Sequence, residues 1–524
     1  MIKEYLASRR FPIDILLFAL GVALWWILLS LGLTLILIFP QAASDAAVWT
    51  ALLGSLALAV GAVLAMRLRP RLRAAFGIQG QPTGLMPPAL CFGAALLACA
   101  GAVALSNAVW DRRFAALREE FKDKGLPVSL LEFQRDVREG DYGQPVLEPL
   151  LADFDKDGFY GGKQYPGDKL QPWTRKVYEE ELPFVRRFEP VLAKGILPKL
   201  RRFPAYARVD WDAASNNPLG YPVPRYANLL KLGSVLRLCA VSSAYSGSPA
   251  KAWGYERSLL DLYETLASDP WLIAKMVSLG LRTQAVRTAL VIMLNDPRQT
   301  LPRDVARRLE AALGSDLAAE GLRAELAMHW DATRYLKDIP YSRYHETGGL
   351  SVGSSAGDSG HAGWWDYALY RLLVAMGFFE ANASAVLKHM VGFAAATTWP
   401  QAKEAGARDS AYRLPAWPYL LAAIAMPRFG DMLRKDWEGK TWIQLALASS
   451  ALARHRSAAG GYPKSLADLP RKLVPQGLLV DVFSGEPFAY AQTGGGRGFD
   501  LCSVGPNGDK KDSRDDVLCV IQGR

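Results

Sequence analysis

Along the first fifth of the chain, apolar residues come in unbroken runs rather than at helical or strand spacing. Residues 15–39 are 25 positions without a charge, and residues 46–66 and 85–110 repeat the pattern. A helix needs about 20 residues to cross the hydrocarbon core. The three runs therefore predict transmembrane helices at about 15–39, 46–66 and 85–110, forming an anchor over 1–110. Beyond it the pattern becomes periodic. Phe114, Leu117 and Phe121 continue the third helix outward until Gly125-Leu126-Pro127 stops it. Residues 128–220 are rich in Pro, Gly and charge, so 111–224 reads as a helical extension followed by a connector. From 225 to 296 the spacing is helical, with Tyr255, Leu259, Leu262, Tyr263 and Leu266 on one face. Asp269-Pro270 reads as a helix start with Pro in the first turn, and Leu301-Pro302 opens another helix that continues through Arg303 to Leu313. Further helices are predicted at 316–330, 364–380, 384–398, 414–425 and 440–455, which makes 225–440 a mainly α domain.

The last stretch, 441–524, switches period. After a helix end and Gly460-Gly461-Tyr462-Pro463 come β-prone runs at 488–492, 499–504 and 517–521, the first two joined by the glycine-rich loop 493–498. The fold class is accordingly multi-domain. It comprises N-terminal transmembrane α-helices, a mainly α extracytoplasmic domain, and a small C-terminal α+β module with antiparallel strands.

Charge places the chain relative to the membrane. Of the net +10, residues 1–110 supply +4: Lys3, Arg9, Arg10, Arg67, Arg69, Arg71 and Arg73 against Glu4, Asp14 and Asp45. The rest is spread thinly and forms no basic stripe, which argues against nucleic acid as a partner. Basic residues precede the first run, and four arginines lie between the second and third. None lies between the first and second. Basic flanks stay inside, so the N-terminus is expected in the cytoplasm and everything after Trp110 outside it. The expectation is a multi-pass protein of the inner membrane whose C-terminal part is periplasmic and whose partner is the lipid bilayer. Arg112 and Arg113 pull weakly the other way.

Candidate chemistry is sparse. Five cysteines form no C-x-x-C pair and no Cys/His cluster, which argues against structural zinc. The segment 341–363 gathers Tyr341, His345, Glu346 and His361 among glycines and serines, ahead of Trp364 and Trp365. Those side chains could serve acid–base work or a metal if they converged, and a solvated glycine-rich loop is the simpler reading. Asp153, Asp155 and Asp157, followed by Gly158, open like a calcium loop, but position twelve is Gln164 where a bidentate acid belongs. The stronger candidate is the C-terminal acidic loop, with Asn507, Asp509, Asp512, Asp515 and Asp516 within ten residues. Such a loop repels itself unless Ca²⁺ or the neighbouring Lys510, Lys511 and Arg514 neutralise it. Cys502 and Cys519 flank it. Outside the cytoplasm they could form a disulfide, and in a reducing compartment they would be two buried thiols.

The pieces Gly460/Tyr462-Pro463, Asp481-Val482-Phe483-Ser484-Gly485-Glu486-Pro487-Phe488-Ala489-Tyr490, Phe499-Asp500-Leu501-Cys502-Ser503-Val504-Gly505-Pro506-Asn507-Gly508 and Asp515-Asp516-Val517 stand in order over about seventy residues. Together they resemble the globular part of the major pseudopilin of type II secretion systems. The resemblance implies calcium held by Asn507, Asp516 and backbone oxygens near Val504, and proximity to an envelope secretion or pilus-type assembly. Val482 stands where that family has Pro, His455 where it has an aromatic, and Asn507 where it has Asp. The module also follows a helical domain instead of a processed pilin helix, so a fibre subunit is not expected. The whole chain further resembles bacterial membrane-anchored proteins that join a helical external region to this tail, which implies no activity. The expected function is a non-catalytic, membrane-anchored extracytoplasmic binding or scaffold protein with a calcium-stabilised tail and an envelope protein as partner. The alternative is an envelope hydrolase or lyase acting on glycan or peptide through the 341–367 segment, with Trp364 or Trp365 as a sugar platform.

Overall fold

The computed structural model describes residues 86–133, parts of 182–200 and 215–218, then 226–296, 299–340, 342, 344, 364–411, 429–507 and 518–522. The expected spans at 15–39 and 46–66, and the expected helix at 414–425, lie outside the described residues. The described part is mostly helical, with one small antiparallel sheet at the C-terminal end.

The helices are α1 (Met86–Asp123), α2 (Tyr226–Tyr245), α3 (Pro249–Ala267), α4 (Leu272–Asn295), α5 (Arg303–Leu313), α6 (Leu317–Asp338), α7 (Trp364–Ala375), α8 (Phe378–Ala394), α9 (Trp399–Ala411) and α10 (Phe429–Ala459). The strands are β1 (Ala489–Thr493), β2 (Gly498–Ser503) and β3 (Leu518–Gln522). Single helical turns occur at Leu130–Phe133, Leu192–Ile196, Leu197–Leu200, Leu466–Asp468 and Gln476–Leu479.

Several expectations are corrected at the level of element ends. Pro270 stands ahead of α4, which begins only at Leu272 with Trp271 as its N-cap. The expected helix 364–380 is two helices, because Gly377 adopts φ +72 and Met376 closes the first of them. Residues 399–411 form α9, which the sequence pattern did not announce. Leu301-Pro302 behaves as expected, with Pro302 capping α5.

The chain divides into two compact units. The first comprises Met1–Lys124, Thr333–Ala385 and Leu414–Ala425. Here α1 runs unbroken from the third apolar run to Asp123 and stops at Gly125, whose φ of +65 suits a residue without a side chain. Against α1 packs an aromatic-rich core of Ile339, Tyr344, Tyr370, Val374, Met376, Phe378 and Phe379.

The second comprises Gly125–Ala332, Val386–Arg413 and Met426–Arg524. Its core is the stack of α2, α3 and α4, with α10 laid against α4 and with α5 and α9 against α10. α2 and α4 meet closely at Gly233, where an added Cβ would stand 2.3 Å from Leu281 Cδ2. α4 is long and apolar enough to cross a membrane by length and composition, yet 67% of that window is buried inside the protein. It is a helix buried on most sides by neighbouring helices. Asp331 stitches the connector to α6 by accepting from Leu130 N at 2.8 Å and Ser215 Oγ at 3.1 Å.

The C-terminal sheet has the order β1-β2-β3, all antiparallel. The same helix α10 that buries Met432 and Leu433 in the bundle carries on to pack against β2 and β3. Gly460, at φ +81, ends it. Tyr462 then turns inward, 3% exposed, with its hydroxyl on Gln522 Oε1 at 2.8 Å and its ring edge-on to Phe499 at 4.9 Å. The β1–β2 loop needs three consecutive left-handed glycines, Gly494, Gly495 and Gly496.

Candidate functional site

Two places concentrate polar groups in a manner that the fold itself does not require. The first is the root of the acidic loop in the second unit. Asp481, 1% exposed, sits in the turn between α10 and the sheet. Its backbone closes that turn: Asp481 N donates to Glu486 O and Gly485 N donates to Asp481 O, each at 2.8 Å. Its carboxylate accepts from Phe483 N at 3.0 Å, from Ser503 Oγ at 2.8 Å and from Val504 N at 2.8 Å. Ser503 Oγ accepts in turn from Gly505 N at 3.0 Å. A buried carboxylate is tolerated when donors of this kind saturate it. Two of these donors, Ser503 and Val504, lie on the strand exit that leads into the acidic loop, so Asp481 fixes where that loop begins.

On the other side of the loop, Cys519 of β3 pairs in register with Cys502 of β2. The two sulfurs are bonded across 17 positions of sequence. Loop entry and loop exit are thus held at one place on the sheet, by a carboxylate hub and by a covalent bridge. Val504 and Asn507 stand at the entry, with Asn507 exposed. Asp509, Asp512, Asp515 and Asp516 lie outside the described residues, as do Asp153, Asp155 and Asp157. The donor set that the sequence supplies there is all oxygen, which suits a hard cation such as Ca²⁺. Asp481 is not one of those donors, since Oδ1 and Oδ2 are both already engaged.

The second place is in the first unit. Lys337 Nζ lies 2.7 Å from Asp111 Oδ1 and 2.5 Å from Glu380 Oε1. Glu380 is fully buried. Burial alone would lower the Lys337 pKa, but the hydrogen bonds and charges of Asp111 and Glu380 outweigh it and hold the ammonium above its ordinary value. Asn107 Nδ2 steadies Asp111 at 3.2 Å, and Arg371 Nη1 donates to Lys337 O at 2.9 Å. Beside the trio, Tyr344, Tyr367 and Tyr370 pack ring on ring at centroid distances of 4.7 to 5.9 Å. Tyr344 and α7 are the described residues that border the glycine-rich segment in sequence. Tyr341, His345, Glu346 and His361 lie outside the described residues, and so do the side chains of Trp364 and Trp365. Among the described residues no group of three or more His, Cys, Asp or Glu side chains is arranged to hold a metal.

Sequence reading passed over a third cluster, buried in the helical core. Arg282 is fully buried, and its Nη2 donates to Asp436 Oδ1 at 2.6 Å and to Asp436 O at 2.7 Å. Asp436 Oδ2 accepts from Ala318 N at 3.1 Å. Lys275 bridges Ala267 O and Glu320 at 2.6 Å each, and Lys440 pairs with Asp316. These groups tie α4, α6 and α10 together. The packing is close at Gly439, where an added Cβ would meet Arg282 Nη2 at 2.5 Å. Polar residues on otherwise apolar helix faces, such as Arg282 amid Leu279, Leu281 and Ala285, were the signal that could have found it.

Comparison of the chain with protein-family models, with curated proteins and with solved structures finds no match.

Proposed function

We propose that the protein is a membrane-anchored extracytoplasmic binding or scaffold protein whose C-terminal module displays a cation-dependent loop. The observation that carries this reading is the double anchorage of that loop, by the Asp481 hub at its entry and by the Cys502–Cys519 bridge at its root. Holding both ends of a ten-residue acidic stretch together brings like charges close, an arrangement that favours a divalent cation as counter-charge. Val504 and Asn507 at the entry, with Asp509, Asp512, Asp515 and Asp516, would supply the oxygens. The bridge supports an oxidising compartment, which agrees with three apolar runs over 1–110 serving as a multi-pass anchor and with the charge bias that puts the tail outside the cytoplasm. The pseudopilin-like motifs support an envelope secretion or pilus-type assembly as the partner. In the bundle core the ion pairs Arg282–Asp436, Lys275–Glu320 and Lys440–Asp316 tie helix to helix, which supports a scaffolding role.

The test is a Ca²⁺ titration of the full chain in detergent, following the melting temperature with Mg²⁺ and chelator as controls. Saturating Ca²⁺ at 100 times its Kd stabilises the module by about 2.7 kcal/mol. Loss of the Ca²⁺ response in Asp516→Ala, with retention in Asp153→Ala, is the expected pattern. A melting temperature indifferent to Ca²⁺ and to chelator would remove the cation from the account.

A further inference from the structure

We infer that α7 and the turn into α8 are sunk into the bilayer beside α1, with Leu369 and Leu372 facing acyl chains. This rests on reading residues 85–110 as a membrane span. The contacts then leave little choice of depth. Ala102 and Val103 of α1 pack against the aromatic core that α7 and α8 build. Ser106 Oγ donates to Met376 O at 2.8 Å, and Gly377 lies against the Trp110 side chain so closely that a Cβ would meet it at 2.7 Å. From Ala102 to Trp110 is about 12 Å of helix at 1.5 Å per residue, and no charged residue occurs on it. The first charges, Asp111, Arg112 and Arg113, come directly after, and Arg113 stacks on the Trp110 ring at 5.1 Å. The switch from an uncharged run to Asp111, Arg112 and Arg113 marks the lipid–water boundary. Whatever touches α1 between Ala102 and Trp110 is therefore on the lipid side of that boundary.

The outer face of α7 suits this placement. Tyr367, Tyr370 and Val374 turn to the core, at the spacing of one helical face. Leu369 and Leu372 fall on the opposite face and are 56% and 39% exposed. Leu105, on the flank of α1, is 60% exposed. Large apolar side chains left bare next to a membrane span are expected to be covered by lipid. Arg371 does not contradict this, because its long stem lets the guanidinium reach Lys337 O beside the boundary ion trio.

The test uses the full chain with Cys91→Ala and Cys99→Ala, reconstituted in phosphatidylethanolamine/phosphatidylglycerol vesicles. Cys239 can stay, since it is buried and its thiol is pushed up to about 12 by that burial, with a smaller contribution from Glu189. Single replacements Leu369→Cys, Leu372→Cys, Leu105→Cys and Ile273→Cys carry a thiol-reactive fluorophore. Emission is quenched either by nitroxide lipids or by aqueous iodide. Labels at Leu369, Leu372 and Leu105 are expected to lose emission to nitroxide lipids, at a depth of about 5–10 Å below the headgroups for the first two, and Ile273 to iodide only. Lipid quenching at Leu105 with iodide quenching at Leu369 and Leu372 overturns the inference and leaves the span standing. Quenching of Leu369 and Leu372 by neither agent means protein covers that face, which also overturns it. Iodide quenching at Leu105 overturns the span and the inference together.

Discussion

Replacing Asp481 isolates the hub from everything else in the tail. In Asp481→Asn the side chain keeps its shape and loses one acceptor. If the new Nδ2 occupies the Oδ2 position it faces Val504 N, and if it occupies the Oδ1 position it faces Phe483 N. The Ser503 hydroxyl can rotate to accept, but a backbone N–H cannot, so at least one buried or half-buried amide is orphaned in either orientation. An unsatisfied buried donor costs about 1–3 kcal/mol, and about 2 kcal/mol is expected for Asp481→Asn. Asp481→Ala removes all three bonds and should cost more, though less than three times as much, because the turn can relax. The loss is local, so the assay should be local too. Hydrogen exchange of the full chain, resolved by peptide, should show faster exchange at 483 and 503–505 in both variants, while 443–452 of α10 and the bundle keep their protection. Exchange at 503–505 indifferent to Asp481→Ala would refute the idea that this carboxylate holds the loop entry. It would leave the bridge as the sole anchor.

Two further outcomes test the buried ions. Arg282→Met strands Asp436 with only the Ala318 amide and should destabilise the second unit by about 3–5 kcal/mol, whereas Arg282→Met with Asp436→Leu should recover much of that. Denaturant titration in detergent reads both, and a double variant no better than the single one would refute the pair as the cause. In the first unit, Lys337 has its pKa raised on folding above the ordinary 10.5. The stability it contributes is therefore fully present below the unfolded value and is lost as pH rises through the folded one. Melting of the wild type should fall off steeply above about pH 10.5, and Lys337→Met should flatten that limb. An alkaline limb unchanged in Lys337→Met would sink the assignment.

How much of this was legible beforehand depends on the length scale of the signal. Helix periodicity is local, and the residues that announced α2 to α5 did so through spacing visible within one or two turns. Strand period and turn chemistry likewise announced β1, β2 and β3 to within a residue, with Gly460 and the run Gly494-Gly495-Gly496 supplying the backbone freedom the turns need. α9 escaped notice because Trp399–Ala411 is half polar and its apolar face only acquires meaning once α10 covers it. The break at Gly377 escaped for a similar reason. A lone glycine in a helical pattern is tolerated, and what forbids a side chain there is Trp110, distant in sequence by more than two hundred residues.

By itself, then, the sequence determined the unbroken apolar runs, the bundle's helices other than α9, the small sheet and the cysteines that flank the acidic loop, because each follows from neighbours along the chain. Only the tertiary structure decided that Arg282 would find Asp436, that Lys337 would serve Asp111 and Glu380 at once, and that Asp481 would gather donors from a strand twenty-odd residues away. Those pairings are fixed by the requirement that a charge removed from water meet a partner in space, and that requirement leaves no period in the sequence to read.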